Sequence, residues 1–229
     1  MNILDARILL KRSTVSNTEP TIPASSSHTD GSWINTDIYS GEAFLNTTDE
    51  RMYVRMGSNI QEFAFQNYWV GKSGQGGVIF HTYRDANNIE HGLVVSVVEQ
   101  STGSQYSNIT SASIGTARTW DGQYNTNLMA AQTSASSGAW LDCNNYTYFG
   151  YSDWYLPSID ELNLLSNNRY NVNKTLSTIV GATQIEANNY WSSTENASSS
   201  AAAFNFFNAY AYFGSNKSNS YYVRAIRQF

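Results

Sequence analysis

Two short apolar runs joined by a polar turn constrain the fold of this chain more than any other feature. Residues 76–81 read Gly-Gly-Val-Ile-Phe-His, residues 91–98 read His-Gly-Leu-Val-Val-Ser-Val-Val, and residues 85–88 between them are polar. Runs of this length, rich in β-branched residues and bounded by turn residues, are typical of buried strands. The sequence therefore predicts a core hairpin in the larger part of the chain.

Helical signals lie further along the chain. Ser158 followed by Glu161 forms a capping box, and apolar residues then recur at helical spacing to Leu165, which predicts a short amphipathic helix. Residues 126–144 are consistent with one or two helical pieces interrupted at residues 134–138. Three closing strands are expected, at residues 190–194, 204–213 and 222–227. The prediction for this part is an α+β fold.

The first 65 residues differ from the rest in composition and in the length of the predicted elements. A short strand is expected at residues 8–11, followed by a Ser-, Thr- and Pro-rich extended stretch at residues 13–33. Short strands separated by turn residues are then expected at residues 38–46, 51–56 and 60–63. Because a small number of short strands buries little apolar surface, we expect other copies of the same chain to cover them. The predicted organisation is an attachment segment, residues 1–65, and a larger domain, residues 66–229.

Composition excludes several classes of partner. The formal net charge is -5, so the chain has no basic field for nucleic acid or anionic lipid. No apolar run approaches the length of a membrane span. The N-terminus interrupts its apolar residues with Asp5 and Arg7, so we expect no signal peptide and synthesis in the bacterial cytoplasm.

Catalytic and metal-binding chemistry is also disfavoured. The three histidines, His28, His81 and His91, have no metal-ligand spacing with one another or with the single cysteine, Cys143. Cys143 is expected to be a small buried hydrophobe, and His81 and His91 to be structural. We therefore expect no enzyme activity and no cofactor or metal.

A segment near the C-terminus uses a restricted alphabet. Of the 27 residues at positions 196–222, all but Gly214 and Lys217 are Asn, Ser, Ala, Phe or Tyr. Eight of them are aromatic and residues 209–212 alternate Ala with Tyr, which favours ordered strand over disorder. Tyr, Ser and Asn are the preferred residues of antibody combining sites, because they supply large contact area and adaptable hydrogen bonds. A recognition surface is the physical interpretation.

Six motifs in a fixed order resemble one bacterial and phage domain family, at residues 76–80, 91–93, 151–158, 160–162, 190–195 and 222–227. This is the C-type-lectin-like family related to formylglycine-generating folds, which includes the variable proteins of diversity-generating retroelements. The resemblance covers residues 70–227. It implies small antiparallel sheets with two main helices and a ligand face built from the C-terminal region.

Departures from the wider family narrow the expected function. Formylglycine-generating enzymes hold copper with paired cysteines, and this chain has only Cys143. Calcium-dependent lectins use a Trp-Asn-Asp strand where residues 191–193 read Trp-Ser-Ser, which supplies no carboxylate. Seven residues whose side chains could serve in an active site are expected to be structural and to stabilise the fold instead: Asp153, Trp154, Asp160, Glu161, Trp191, Arg224 and Arg227.

The resemblance also suggests which positions vary. Retroelements of this kind alter adenines in a template, and Asn codons altered only at adenines give Ser, Ala, Tyr, Phe or Gly codons, which fits the restricted alphabet. By analogy, fourteen residues are predicted to contact ligand: Asn196, Ser198, Ser199, Ser200, Ala203, Asn205, Phe207, Asn208, Tyr210, Tyr212, Ser215, Asn216, Ser218 and Asn219. The alternative for Phe207 and Tyr210 is an ordinary core position.

Residues 41–49, 51–55 and Gly57 resemble the short strand modules of phage tail-fibre and tail-tip proteins, which assemble as trimers. The resemblance implies a homotrimeric receptor-binding protein of a phage or prophage particle. Its expected partners are a bacterial cell-surface protein or glycan and other tail proteins. The alternative is a structural assembly or decoration protein that uses the aromatic segment as a subunit interface.

Overall fold

The computed structural model describes residues 11–25, 30–48, 51–64, 67–132 and 134–229. The chain divides into two compact units, and the division falls between Asn67 and Tyr68. His28 and the residues 8–10 of the predicted first strand lie outside the described residues. No helix among the residues that the structure describes is long and apolar enough to cross a membrane.

In the first unit the described residues form one four-stranded sheet, in the order β1-β2-β3-β4. β1 pairs with β2 in parallel and the other pairs are antiparallel. The buried apolar cluster seen among these residues contains Ile38, Phe44 and Tyr53, with Ile60 packed against it. The strands are β1 (Lys11–Ser13), β2 (Ala43–Asn46), β3 (Arg51–Met56) and β4 (Asn59–Ala64).

The second unit is a mixed α+β domain. Four short helices are described in it, where the resemblance implied two main ones: α1 (Gly122–Ala130), α2 (Ala139–Asn144), α3 (Ile159–Asn167) and α4 (Arg169–Leu176). Its strands are β5 (Ser73–Gly74), β6 (Gly77–Arg84), β7 (Glu90–Val95), β8 (Ser101–Ser104), β9 (Asn189–Ala197), β10 (Ser200–Asn205), β11 (Tyr210–Asn216), β12 (Tyr221–Val223) and β13 (Ile226–Gln228).

Two sheets organise this domain. One has the order β13-β7-β6-β5, and its central pair, β6 and β7, is the core hairpin that the apolar runs predict. The other has the order β11-β10-β9-β12-β8. Within β9, Tyr190 and Trp191 are both fully buried but belong to different apolar clusters. Because successive residues of a strand face opposite sides, this sheet is covered on both faces at its centre.

The capping box of α3 is confirmed. The Ser158 side chain accepts from the Glu161 backbone N–H, and the Glu161 carboxylate accepts from the Ser158 N–H. Glu161 Oε1 also accepts from the Tyr155 hydroxyl at 2.8 Å. Burial raises the pKa of Glu161 although these hydrogen bonds oppose the change. The helix start is thereby fixed to the segment that precedes it, where Tyr155 forms an isolated β-bridge with Ile226.

Two of the predicted closing strands are wrong in extent. Residues 204–213, expected as one strand, contain a turn at residues 206–209 that separates β10 from β11. Residues 222–227 are divided between β12 and β13, which belong to different sheets. The break falls at Arg224, whose side chain donates to the Ser96 carbonyl at 2.7 Å and pairs with Glu99 at 3.0 Å.

Candidate ligand-binding surface

The restricted-alphabet segment folds mainly into one β-hairpin at the edge of the five-stranded sheet. We call β10, the turn at residues 206–209 and β11 the C-terminal hairpin. β10 pairs with β9 on one side and with β11 on the other. No strand in the described part of the chain pairs with the outer edge of β11. The hairpin is therefore presented to the surroundings at a sheet edge.

A buried aromatic residue anchors the turn. Phe206 is 3% exposed, and its ring centroid lies 4.9 Å from that of Tyr190 and 5.0 Å from that of Phe204. The Phe206 backbone N–H donates to the Asn188 carbonyl, and the Arg169 guanidinium donates to the Phe206 carbonyl at 2.9 Å. These contacts fix the turn to the framework while its neighbours stay outside.

Asn205 shapes the turn itself. Its Oδ1 accepts from the backbone N–H groups of Phe207 at 2.9 Å and Asn208 at 3.0 Å, and its Nδ2 donates to Asn189 Oδ1 at 2.8 Å. Asparagine forms such local side-chain turns readily. Ala209 closes the turn with a φ of 54°. The turn is thus held by its own side chain and by the adjacent strand.

Three aromatic side chains project around this turn, and we call Phe207, Tyr210 and Tyr212 the aromatic patch. Their exposed fractions are 82%, 57% and 41%. The rings of Tyr210 and Tyr212 meet edge to face with centroids 4.8 Å apart, and Asn208 Nδ2 donates to the Tyr212 hydroxyl at 3.2 Å. These exposures oppose the alternative of core positions for Phe207 and Tyr210. Large, ordered aromatic side chains in contact with solvent are typical of binding surfaces.

A β-bulge interrupts β11 beyond the aromatic patch. Ala201 pairs with Ser215 and Ala203 pairs with Tyr212, so Phe213 and Gly214 together oppose one residue of β10. A bulge of this kind twists the strand and re-aims its side chains. Phe213 is 46% exposed, and sequence reasoning missed it because simple alternation places it on the inner face.

The opposite end of the hairpin is fixed by a buried ion pair. Lys217 is fully buried, and its Nζ donates to Glu195 Oε1 at 2.5 Å. Two backbone carbonyls, those of Ala112 and Ser198, accept its other hydrogen bonds at 2.9 Å each. Since an ammonium has three N–H groups, its donors are fully used. Lys217 therefore ties together the loop at Ala112, strand β9 at Glu195 and the turn at Ser198.

The Glu195 carboxylate is the centre of this anchor. It accepts from the backbone N–H groups of Ile114 and Gly115 and from the Ser113 hydroxyl, at 2.7 to 3.0 Å, in addition to Lys217. Burial acts to raise the pKa of Glu195, but the hydrogen bonds from Lys217 and the loop outweigh it and lower the pKa below its ordinary value. The side chain is a structural anion and does not reach the surface.

The fourteen predicted contact residues do not all lie together. Strands of six or seven residues place the turn at residues 206–209 roughly 20 Å from the other end of the hairpin. The aromatic patch, Asn205 and Asn208 lie towards the first end. The second end carries predicted residues that are all Ser or Asn: Asn196, Ser198, Ser199, Ser200, Asn216, Ser218 and Asn219. The segment therefore presents an aromatic end and a serine–asparagine end.

Most of these residues are accessible. Nine are exposed, namely Asn196, Ser198, Ser199, Phe207, Asn208, Tyr210, Tyr212, Asn216 and Ser218, and Ser200, Asn205 and Asn219 are half-buried. Ala203 and Ser215 are a correction. They are 1% and 9% exposed, and Ala203 packs in the cluster that contains Trp191, so neither belongs to the candidate surface.

The residues predicted to hold the frame do so, with one exception. Trp154 and Trp191 are buried, Arg227 forms a bidentate pair with Asp153 at 2.7 and 2.9 Å, and Arg224 pairs with Glu99. The exception is the Asp160 carboxylate, which has no hydrogen-bond or ion-pair partner among the described residues.

The region beside the turn contains residues that sequence reasoning missed. A cavity of about 440 Å³ is lined by Arg169, Tyr170 and Lys174 of α4, together with neighbouring polar residues. Arg169 connects it to the turn through the Phe206 carbonyl. The helix itself was not predicted, because its residues carry no clear apolar periodicity beyond Val172 and Leu176. Within the described ranges, no group of three or more His, Cys, Asp or Glu could hold a metal ion.

Comparison with known proteins adds two findings. A family model described as the Lcl C-terminal domain matches residues 97–227. Among solved structures, a fimbrial protein from Bacteroides ovatus ATCC 8483 is similar, with a TM-score of 0.55 and 14% identity over 95% of this chain and 68% of that chain. At this identity the likeness concerns the fold alone. A search of curated proteins finds no match.

Proposed function

Because the chain belongs to the Lcl C-terminal domain family, and because its family domain contains a hairpin with exposed aromatic side chains, we propose that it is an adhesin-like receptor-binding protein. In this proposal the C-terminal hairpin contacts a bacterial surface protein or glycan, without catalysis and without a cofactor. The observation that carries it is the aromatic patch. Phe207, Tyr210 and Tyr212 are exposed, while the adjacent Phe206 is buried and rigidly held.

We further propose a C-type-lectin-like fold for residues 66–229. The mixed sheets, the capped helix after Trp154 and the framework strand β9 support this assignment. On that fold the C-terminal hairpin is the ligand face. The side chains of the buried ion pairs of Glu195 and Arg224 are not among the exposed residues of this face, so the exposed residues can change while both pairs are kept.

Diversification of this face by a retroelement is part of the proposal. Nine of the predicted variable residues are exposed, and exposed positions tolerate substitution with changes of only about 0.5 kcal/mol in stability. Deep sequencing of the gene in a population tests this directly. Adenine-linked changes should be concentrated at the exposed positions, and their absence there would remove the retroelement from the account.

For the first unit we propose attachment to a phage or prophage tail and assembly as a homotrimer in the virion. Among the residues of this unit that the structure describes, three large apolar residues form the buried cluster, while Met56 and Phe63 are 64% and 45% exposed. Such a small cluster favours additional burial against other copies. Three linked faces would raise apparent affinity by about a hundred to ten thousand-fold.

The binding proposal is tested with two matched phenylalanines. Phe207 and Phe149 are 82% and 81% exposed, and only Phe207 belongs to the hairpin. We expect a labelled chain to adsorb to cells of a susceptible strain within a panel of bacteria. Phe207→Ala combined with Tyr210→Ala should abolish adsorption, whereas Phe149→Ala should leave it intact. Equal adsorption by all variants would refute a role for the aromatic patch. Adsorption should also survive a chelator, since no metal takes part.

A second candidate is a structural subunit that buries the same patch in a permanent interface. Two observations favour this candidate: the outer edge of β11 has no partner strand in the described part of the chain, and a similar structure is described as a fimbrial protein. Tyr210→Ala with Tyr212→Ala separates the two functions. Loss of adsorption with intact oligomers supports recognition, and dissociation of the oligomers supports the structural subunit.

A further inference from the structure

A cavity unrelated to the C-terminal hairpin lies between the core hairpin of β6 and β7, the start of α3 and the loop before α1. Its volume is about 410 Å³, within the range of roughly 300–1,000 Å³ common for small-ligand sites. The residues that bear on its chemistry are His81, Tyr83, Trp120, Asp121, Asp160 and Glu161. All of them belong to the second unit.

Two exposed aromatic rings line this cavity. Trp120 is 66% exposed and Tyr83 is 49% exposed. Neither ring is isolated, because Tyr83 stacks with His91 at 5.4 Å and the Arg118 guanidinium lies 5.4 Å from the Trp120 ring. The rings therefore form an ordered aromatic lining that is accessible to a ligand.

The electrostatic character of the lining is negative. Among the described residues, three carboxylates line the cavity and none of the lining residues is Lys or Arg. Asp121 is paired with Arg118 at 2.7 Å, and Glu161 is occupied by the helix cap, so Asp160 is the carboxylate without a partner among the described residues. The Asp160 backbone N–H donates to the Thr119 carbonyl, which places Asp160 beside Trp120. Burial lowers the pKa of His81, which disfavours a positive charge on its ring.

At two other places in this domain, an arginine guanidinium is bound by an aromatic ring together with a carboxylate. Arg118 lies 3.3 Å from the Tyr124 ring centroid and pairs with Asp121. In the second case, Arg227 lies 4.0 Å from the Tyr151 ring centroid and pairs with Asp153. An aromatic face and a carboxylate together satisfy both the ring and charge preferences of a guanidinium. Trp120, Tyr83 and Asp160 offer a third such combination at the cavity. The cation nearest the Trp120 ring is Arg118, which Tyr124 and Asp121 already engage, so the Asp160 carboxylate is left for a ligand.

We propose that this cavity binds an organic cation, namely the guanidinium or ammonium group of an arginine or lysine side chain or of a free polyamine. The cation lies against Trp120 and Tyr83 and pairs with Asp160. The site is independent of the function proposed for the C-terminal hairpin.

The test measures binding of defined probes to the full chain by calorimetry. Glycyl-arginyl-glycinamide represents a peptide side chain, spermidine represents a free polyamine, and glycyl-citrullyl-glycinamide is the neutral isostere of the first. We expect saturable binding of one of the two cations, weakened by added salt, and no binding of the citrulline peptide. The preferred cation identifies the source of the ligand.

Variants then locate the site. Asp160→Asn should weaken binding of the cation by about tenfold, and Trp120→Ala by a similar factor. Trp69→Ala is the matched control, because Trp69 is 51% exposed and does not line the cavity. Circular dichroism confirms that each variant is folded, and Tyr83→Phe provides a milder change to the same lining. Equal binding of the arginine and citrulline peptides, undiminished binding by Asp160→Asn and Trp120→Ala, or no binding of either cation would overturn the proposal.

Discussion

At the scale of single residues, Lys217 shows how a surface segment is tied to its frame. It is one of two residues that depart from the restricted alphabet of positions 196–222. Its ammonium group is buried against Glu195 and two backbone carbonyls. The sequence shows that Lys217 departs from the alphabet, but it does not show that Glu195 is the partner of Lys217. The two residues meet only because the hairpin brings them together. The same holds for Arg224 and Arg227, whose pairing with carboxylates was predicted without the identity of Glu99 and Asp153.

Lys217→Met should destabilise the domain strongly. It removes the cation and leaves the Glu195 carboxylate buried, for which the usual cost is about 3–5 kcal/mol. Urea denaturation should show this loss in the free energy of unfolding. Lys174→Met is the control, since Lys174 is exposed, and it should change stability by no more than about 0.5 kcal/mol. Similar stability of the two variants would show that the ion pair is not an anchor.

The same pair predicts a dependence of stability on pH. The pKa of Glu195 is lower in the folded protein than its ordinary value of 4.5, so the unfolded chain binds a proton first as the pH falls. The stabilisation is fully present above the ordinary value and is lost as the pH falls through the folded pKa. Glu195→Gln should be less stable at neutral pH and should lose less stability on acidification, as measured by thermal unfolding across the acid range. Parallel curves for both proteins would contradict the assignment.

At the scale of elements, sequence reasoning succeeded where a local pattern determines the structure. The capping box of α3 depends on residues three positions apart, and the β6–β7 hairpin depends on two apolar runs and their turn. It failed at residues 204–213, because the turn after Phe206 contains neither Gly nor Pro and depends on the Asn205 side chain and on burial of Phe206. Such contacts form only in the tertiary structure, so a local sequence pattern does not predict them.

The turn also provides a stabilising substitution. Ala209 adopts a φ of 54°, a left-handed conformation that costs an L-residue roughly 1–2 kcal/mol and costs glycine little. Ala209→Gly should therefore raise the free energy of unfolding by up to about 1 kcal/mol after the larger entropy of the unfolded glycine chain is included. Ala211→Gly is the control, since Ala211 lies within β11 without such a conformation, and it should destabilise. A loss of stability in Ala209→Gly equal to that of the control would contradict the left-handed turn.

At the scale of the whole molecule, the described parts of the two units differ in how much apolar surface they bury. The second unit has two large clusters that include Phe80, Leu162, Trp154 and Trp191, whereas the cluster found among the described residues of the first unit contains three buried residues. The sequence predicts such a contrast, because few short strands are expected at residues 1–65. The sequence did not reveal the order of the strands in either sheet, because that order depends on pairings between distant segments.

The contrast predicts how the two units behave when they are separated. Residues 68–229 expressed alone should fold and unfold cooperatively, because both large clusters lie within them. If the first unit forms the proposed trimer, the full chain should sediment as a trimer and the shorter chain as a monomer. Full-chain trimers should also adsorb to cells more tightly than monomers, since three linked faces raise apparent affinity. Analytical ultracentrifugation and adsorption measured on the two chains check both points. A monomeric full chain would refute the role proposed for the first unit, and a trimeric shorter chain would place the subunit contacts within residues 68–229.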